Sequence, residues 1–379
     1  MMIFISLWTL KQFRKSKFNP LIMVFLQNLS KDTLSLLIEH RTIEISLTIT
    51  TNLMMKVTFK ILRQKPNLSP EFASYNIDVN PANTILECLN KIKWEIDGSL
   101  AFRKNCRNTI CGSCAMKING RSALACKENI QTELEKGYVK SSDSTPEIIV
   151  SPLNNLPVIK DLVVDMNNFW QDLESIEPYV STGARNIPEK EFLQTPEQRK
   201  LLEETGNCIM CGACYSECNA KEVNNNFAGP HALAKSYRLV DDNRDANTDV
   251  RLEKYDDANQ GVWACTRCYL CNEVCPMDVA PLDQISKIKG QILEQKDADA
   301  SRPIRHRKVL IDLVKDGGWL DERKFGVMVV GNYFKDLEGL LSIAPLGFRL
   351  LTSGKFPTSF EPSEGVEEVR GLISSVKGS

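Results

Sequence analysis

Twelve of the thirteen cysteines fall into three tight groups, and any fold for this chain has to honour their spacing. The two later groups repeat one pattern, Cys208, Cys211, Cys214 and Cys218, then Cys265, Cys268, Cys271 and Cys275, with Pro276 closing the second. This Cys-x2-Cys-x2-Cys-x3-Cys run is the one in which three cysteines of a loop bind a cubic iron–sulfur cluster and the fourth crosses to the other cluster. The crossover predicts one [4Fe–4S] site from Cys208, Cys211, Cys214 and Cys275. It predicts a second from Cys265, Cys268, Cys271 and Cys218.

The first group, Cys106, Cys111, Cys114 and Cys126, begins with the plant-type spacing of a [2Fe–2S] loop. Such a loop must turn backbone amides toward sulfur, and Gly112 permits an approach that a Cβ would block. Asn119-Gly120 between two short strand-like runs predicts a hairpin whose far side delivers Cys126. Two other accounts of many cysteines compete. Disulfide frameworks belong to short secreted chains, and partners two residues apart rarely pair. Zinc also takes four thiolates, but its sites usually come as two matched pairs, whereas here three candidate ligands share each loop.

From residue 55 the pattern is that of a small mixed domain. Val57–Leu62 and Tyr75–Val79 read as paired strands. A helix follows, capped by Thr84 with Glu87 three residues on, with Ile85, Leu89, Ile92 and Ile96 at helical spacing before Gly98. Cys88 shares that apolar face and is expected in the core rather than at a metal. Glu147–Val150 closes the domain, and Ser151–Pro157 reads as a linker. Beyond it, Ile159–Ile176 and Pro196–Thr205 are expected to be helical, as are the surroundings of both later cysteine runs. The charged stretch Asp241–Asp257 is expected to be a solvated loop or helix face. The fold class is therefore α+β: a small mixed [2Fe–2S] ferredoxin-type domain at 55–152, then an α-helical two-cluster ferredoxin-type domain at 158–317. Residues 318–379 form a helical tail.

Residues 1–53 contain no Ala, Gly or Cys, and their basic residues follow the first apolar stretch, unlike a secretory signal. A mitochondrial-type presequence is conceivable. The plainer expectation is that residues 1–54 stand outside the fold and that translation starts at Met54 or Met55. No apolar run approaches the ~20 residues of a membrane-spanning helix. A net charge of −1 marks neither a nucleic-acid binder nor an acidic tail. There is no G-x-G-x-x-G, P-loop or nucleophile elbow. His40, His231 and His306 are scattered, each more fitted to a structural or exposed position than to catalysis. The chain thus carries electrons through three centres, and substrate chemistry falls to another subunit.

The stretch Cys106–Cys126, with its Cys-Gly-Ser-Cys-Ala-Met-Lys-Ile-Asn-Gly and Leu-Ala-Cys, resembles the iron–sulfur subunit of succinate dehydrogenase and fumarate reductase. So does Gly229–Arg238, with its Gly-Pro-His-Ala-Leu-Ala-Lys-Ser-Tyr-Arg. The resemblance implies a β-grasp ferredoxin domain followed by a helical two-cluster domain, a flavoprotein partner that carries FAD, a membrane-anchor partner, quinone as an indirect acceptor, and a peripheral position on the cytoplasmic face of an energy-transducing membrane. Two departures stand out. Familiar members lack cysteine at the position of Cys268 and hold [3Fe–4S] there, so this chain should hold [4Fe–4S]. They also have Pro and a quinone-site Trp where this chain has Asn219 and Val223. These changes resemble the archaeal and cyanobacterial branch with a heterodisulfide-reductase-like anchor, which makes the tail from 318 a candidate docking segment. The alternatives are the iron–sulfur subunit of another flavoprotein, such as a thiol-driven fumarate reductase or a glycolate or glycerol-phosphate dehydrogenase, and a free-standing ferredoxin-like carrier.

Overall fold

Strands β1 (Met55–Arg63) and β2 (Glu71–Val79) pair antiparallel with Val57 opposite Ile77, so their alternate apolar residues share one face. The computed structural model describes residues 54–377, apart from 66–67, 138–139, 143–144, 184–185, 187, 189, 298–299 and 357–358. The expectations for residues 1–53, including His40, lie outside these. Strands β3 (Ala115–Ile118) and β4 (Arg121–Leu124) form the expected hairpin. Its turn residues Asn119 (φ 50°) and Gly120 (φ 87°) adopt the left-handed backbone that Asn-Gly supplies. A short β5 (Lys140–Ser142) pairs with β6 (Thr145–Ser151), and β6 runs parallel to β1 at the centre of the order β2-β1-β6-β3-β4.

The helix Ile85–Lys91 covers this sheet, and both halves of its capping box form between Thr84 and Glu87. Val57, Phe59, Ile61, Ile85, Leu89, Ile92, Met116, Ile118 and Ile148 are fully buried between helix and sheet. Each such side chain contributes roughly 1.5–3 kcal/mol. Cys88 lies among them as expected, and burial pushes its thiol up to about 12. Ile96 does not. A π-helical turn at Ile92–Ile96 shifts the last residues around the axis, leaving Ile96 and Trp94 exposed.

Three other expectations are corrected. Residues 158–164 are not helical but form strands β7 (Val158–Lys160) and β8 (Val163–Val164), and the helix begins only at Asn167. Asp161 holds left-handed backbone between them and is buried, accepting from the amides of Gln64 and Ala101 and pairing with Arg63 at 3.0 Å. The β-branched Val158, Ile159, Val163 and Val164 favour strand, and that tie to the first domain fixes the turn between them. The segment 151–157 is not a loose linker, because Leu153 and Leu156 are buried with Phe169 and Tyr215. Nor is 241–257 a solvated face. Asp242, Asp245 and Arg251 are buried, and Arg251 pairs with Asp245 at 3.0 Å while donating to the carbonyls of Ile176, Glu177 and Tyr179. Burial penalises the Asp245 carboxylate, but bonds from Arg251 and the Ser181 and Asn247 amides hold its pKa below the usual range.

The second domain is helical. Gly229–Val240 packs against Pro281–Gln295, and the cysteine runs lead into the short helices Ala213–Ser216 and Leu270–Glu273, which touch one another. The tail contains Glu322–Val329, Leu337–Thr352 and Val366–Lys377. Among the described residues no helix is long and apolar enough to cross a membrane.

Candidate iron–sulfur centres

The first site is a loop of bare backbone wrapped around four sulfurs. Asn108 N–H and Cys111 N–H each donate to Cys106 Sγ at 3.3 Å, Thr109 N–H donates to Cys126 Sγ at 3.3 Å, and Ser113 Oγ donates to Cys111 Sγ at 3.2 Å. Arg107 (φ 57°), Thr109 (φ 56°) and Gly112 (φ 70°) take left-handed conformations. Such alternation aims successive amides inward, forming a nest for negative charge. Burial opposes charge on Cys111, yet the Ser113 hydroxyl and the Cys106 amide outweigh it and bring that thiol down to about 6. Buried Cys114 is pushed up to about 12. Cys126 lies two residues past the end of β4, on the far side of the hairpin as that reading required.

The two downstream sites cross over. One cavity is lined by Cys208, Cys211, Cys214 and Cys275, together with Phe169, Met210 and His231. Another is lined by Cys218, Cys265, Cys268 and Cys271, together with Phe227, Leu282 and Ile285. These are the two sets of four that the spacing predicts. Burial raises Cys211 to about 11, Cys218 to about 11 and Cys271 to about 12, and puts Cys214 well above the ordinary thiol range. Buried thiolates of this kind need a metal's positive charge to ionise. Among the described residues no three His, Cys, Asp or Glu side chains converge on a single ion. Sulfurs spread around a cavity suit a polynuclear cluster, whereas zinc needs four of them about 2.3 Å from one point.

The three sites are in series. A Cβ on Gly112 would lie 2.9 Å from Cys211 Cα and Cβ, so the first loop rests directly on the second. Glu217 fastens this seam by accepting from Ser122 N–H at 2.9 Å and Ser122 Oγ at 2.7 Å, with Lys117 3.3 Å away. Asn155 donates to the carbonyls of Tyr215, Ser216 and Cys218. The short helices Ala213–Ser216 and Leu270–Glu273, which carry Cys214 and Cys271, pack on one another, which joins the second site to the third.

His231 is structural, as expected: buried, stacked on Phe169 at 3.8 Å, its Nε2 2.9 Å from the Phe169 carbonyl. His306 packs edge-on against Phe325. Asn219 opens the short helix Asn219–Val223, and Val223 is 84% exposed. Sequence reasoning missed Ser113, Glu217 and Asn155; nothing in the spacing of single polar residues marks them.

Three four-cysteine sites built end to end, with no nucleotide or nucleophile motif in the chain, define an iron–sulfur electron-transfer protein. Residues 58–171 match the family described as 2Fe-2S iron-sulfur cluster binding domain, and residues 204–279 the 4Fe-4S dicluster domain. The chain is 36% identical over 244 residues to "Succinate dehydrogenase [ubiquinone] iron-sulfur subunit 3, mitochondrial" of Arabidopsis thaliana, covering 63% of this chain and 76% of that one. It is 33% identical over 246 residues to the fumarate reductase iron–sulfur subunit of Escherichia coli, covering 64% and 95%. A chain in the structure of the Mycobacterium smegmatis Sdh1 complex superposes with a TM-score of 0.57 at 25% identity, covering 64% of this chain and 98% of that one. The protein belongs to the family of succinate dehydrogenase and fumarate reductase iron–sulfur subunits, and it is an electron-transfer subunit of that oxidoreductase type.

Proposed function

We propose that this subunit carries electrons one at a time between an FAD-containing flavoprotein that interconverts succinate and fumarate and a membrane-anchor partner that serves quinone. The carrying observation is the serial arrangement: the Gly112 loop rests on Cys211, and the helix holding Cys214 packs on the helix holding Cys271. In this reading Cys106, Cys111, Cys114 and Cys126 hold [2Fe–2S]. Cys208, Cys211, Cys214 and Cys275 hold one [4Fe–4S], and Cys265, Cys268, Cys271 and Cys218 hold the other. Once bound, the iron supplies one-electron redox chemistry. The chain's own residues fix the sulfurs, turn amides and the Ser113 hydroxyl toward the first site, and cover Cys211 of the second site with the Gly112 loop.

The ferredoxin domain is assigned to 55–152, the two-cluster domain to 158–317 and the docking tail to 318–379. No residue of Leu337–Thr352 is buried, and Leu337, Leu341 and Phe348 are exposed, which supports docking of this tail on the anchor. The heterodisulfide-reductase-like type of that anchor is inferred from the resemblance at Cys268, Asn219 and Val223. Deleting residues from 318 onward should release the chain from membranes; retained association would rule docking by the tail out.

Anaerobically purified chain should contain about ten iron atoms with matching sulfide, two plus four plus four by cluster type. It should co-purify with a flavoprotein, and succinate should then reduce the clusters, read by EPR. Absence of inorganic sulfide would overturn the electron-carrier reading. Reduction only by another substrate, such as glycolate, would move the chain to a different flavoprotein complex.

A further inference from the structure

Of the thirteen cysteines, Cys268 is the one exposed to solvent. The other sulfurs around its cavity belong to half-buried Cys265 and to buried Cys218 and Cys271. Its counterpart in the first run, Cys211, lies under Gly112 and packs against the core of the β-grasp domain. Thr266, Arg267, Cys268 and Tyr269 are consecutive exposed residues. Behind them the cavity wall is apolar, with Phe227, Pro230, Leu282 and Ile285.

We infer that Cys268 holds an exchangeable iron, the one corner of the last cluster that leaves on mild oxidation and returns as Fe²⁺ under reducing conditions. The inference rests on the reading above that Cys268 is a ligand. Iron leaves only where an outside ligand reaches it and the released thiolate is solvated. A thiolate released from Cys218 or Cys271 would be stranded in an apolar cavity. From Cys268 it enters water. The three remaining cysteines then hold the residual core. The step balances as [4Fe–4S]²⁺ giving [3Fe–4S]⁺, Fe²⁺ and one electron, with the electron taken by a one-electron oxidant such as ferricyanide. The Cys268 Sγ–iron bond and that iron's three bonds to sulfide break, no sulfur changes oxidation state, and the freed thiolate takes a proton from water. The relay would thus exist in two forms that differ only at its solvent-facing end.

The test uses the full chain, purified anaerobically with its clusters. Ferricyanide should generate a [3Fe–4S] EPR signal with release of a single iron per chain. Iodoacetamide added at that point, followed by peptide mass mapping, should mark Cys268 at least about tenfold above any other cluster cysteine, as expected for an accessible thiolate. Fe²⁺ with dithionite before alkylation should remove the signal and protect Cys268. Buried Cys88 should stay unmarked until denaturation. Label on Cys218, Cys265, Cys271 or the inner set, or collapse of the cluster without a [3Fe–4S] stage, would overturn the exchange. An intact [4Fe–4S] with Cys268 protected throughout would overturn it too, leaving the ligand assignment standing. Should the untreated chain hold [3Fe–4S] that iron cannot convert, with Cys268 marked in every state, the ligand assignment itself would fall.

Discussion

The two downstream cysteine loops are conformational copies that the rest of the molecule treats in opposite ways. In each, the residues flanking the middle cysteine are left-handed: Met210 (φ 55°) and Gly212 (φ 83°) around Cys211, Arg267 (φ 59°) and Tyr269 (φ 72°) around Cys268. The first loop is roofed by the β-grasp domain, whereas the second faces solvent with Tyr269 51% exposed. Backbone geometry is thus set by what a cluster demands of its loop, while access to the cluster is set by what packs on top. An inner site needs protection from water, and an outer site needs a face from which electrons can leave.

The strongest way to break this asymmetry is Gly112→Ala. The new Cβ would meet Cys211 backbone at 2.9 Å, and alanine at φ 70° is strained besides. Strain and overpacking together should cost about 3–5 kcal/mol. Anaerobic chemical denaturation and iron content would register it, with iron lost from the inner sites first; near-wild-type behaviour would mean Gly112 seals nothing. Glu217→Ala strips Ser122 and Lys117 of their partner across the seam and should cost about 2–3 kcal/mol. A thermal scan should then split into two transitions, and a single unshifted one would count against Glu217 as the fastener. Asn155→Ala leaves three carbonyls at residues 215, 216 and 218 without their donor, a loss of about 1–2 kcal/mol in the same denaturation assay.

The open loop should behave differently. Arg267→Gly relieves a left-handed arginine but loosens the unfolded chain, so stability should move by no more than about 1 kcal/mol. A loss above roughly twice that would show that the outer loop is as tightly held as the inner one.

Much of the site was legible because cluster loops are local. Twelve sulfurs, the crossover between runs and the Asn119-Gly120 hairpin are all short-range demands that leave a readable spacing. Thr84 and Glu87 were legible for the same reason, since a capping box closes within one turn. The misreadings share the opposite cause. Ile159–Ile176 reads as one helix, yet its first residues are the strand-favouring Ile159, Val163 and Val164, and Asp161 among them bonds to Gln64 and Ala101, far away in the chain. Asp245 and Arg251 read as solvent-facing charges, yet the carbonyls of residues 176, 177 and 179 close around Arg251. Ile96 left the core because one π-turn changes the period that the pattern assumed.

The amino-acid order alone determined which sulfurs gather, since ligand spacing is a property of a few consecutive residues and the fourth cysteine's crossover follows from it. Only the tertiary structure decided which of the two matching loops is covered and which is open. Burial is a property of what lies across the seam, and Gly112 and Cys211 are brought together by folding, not by sequence distance.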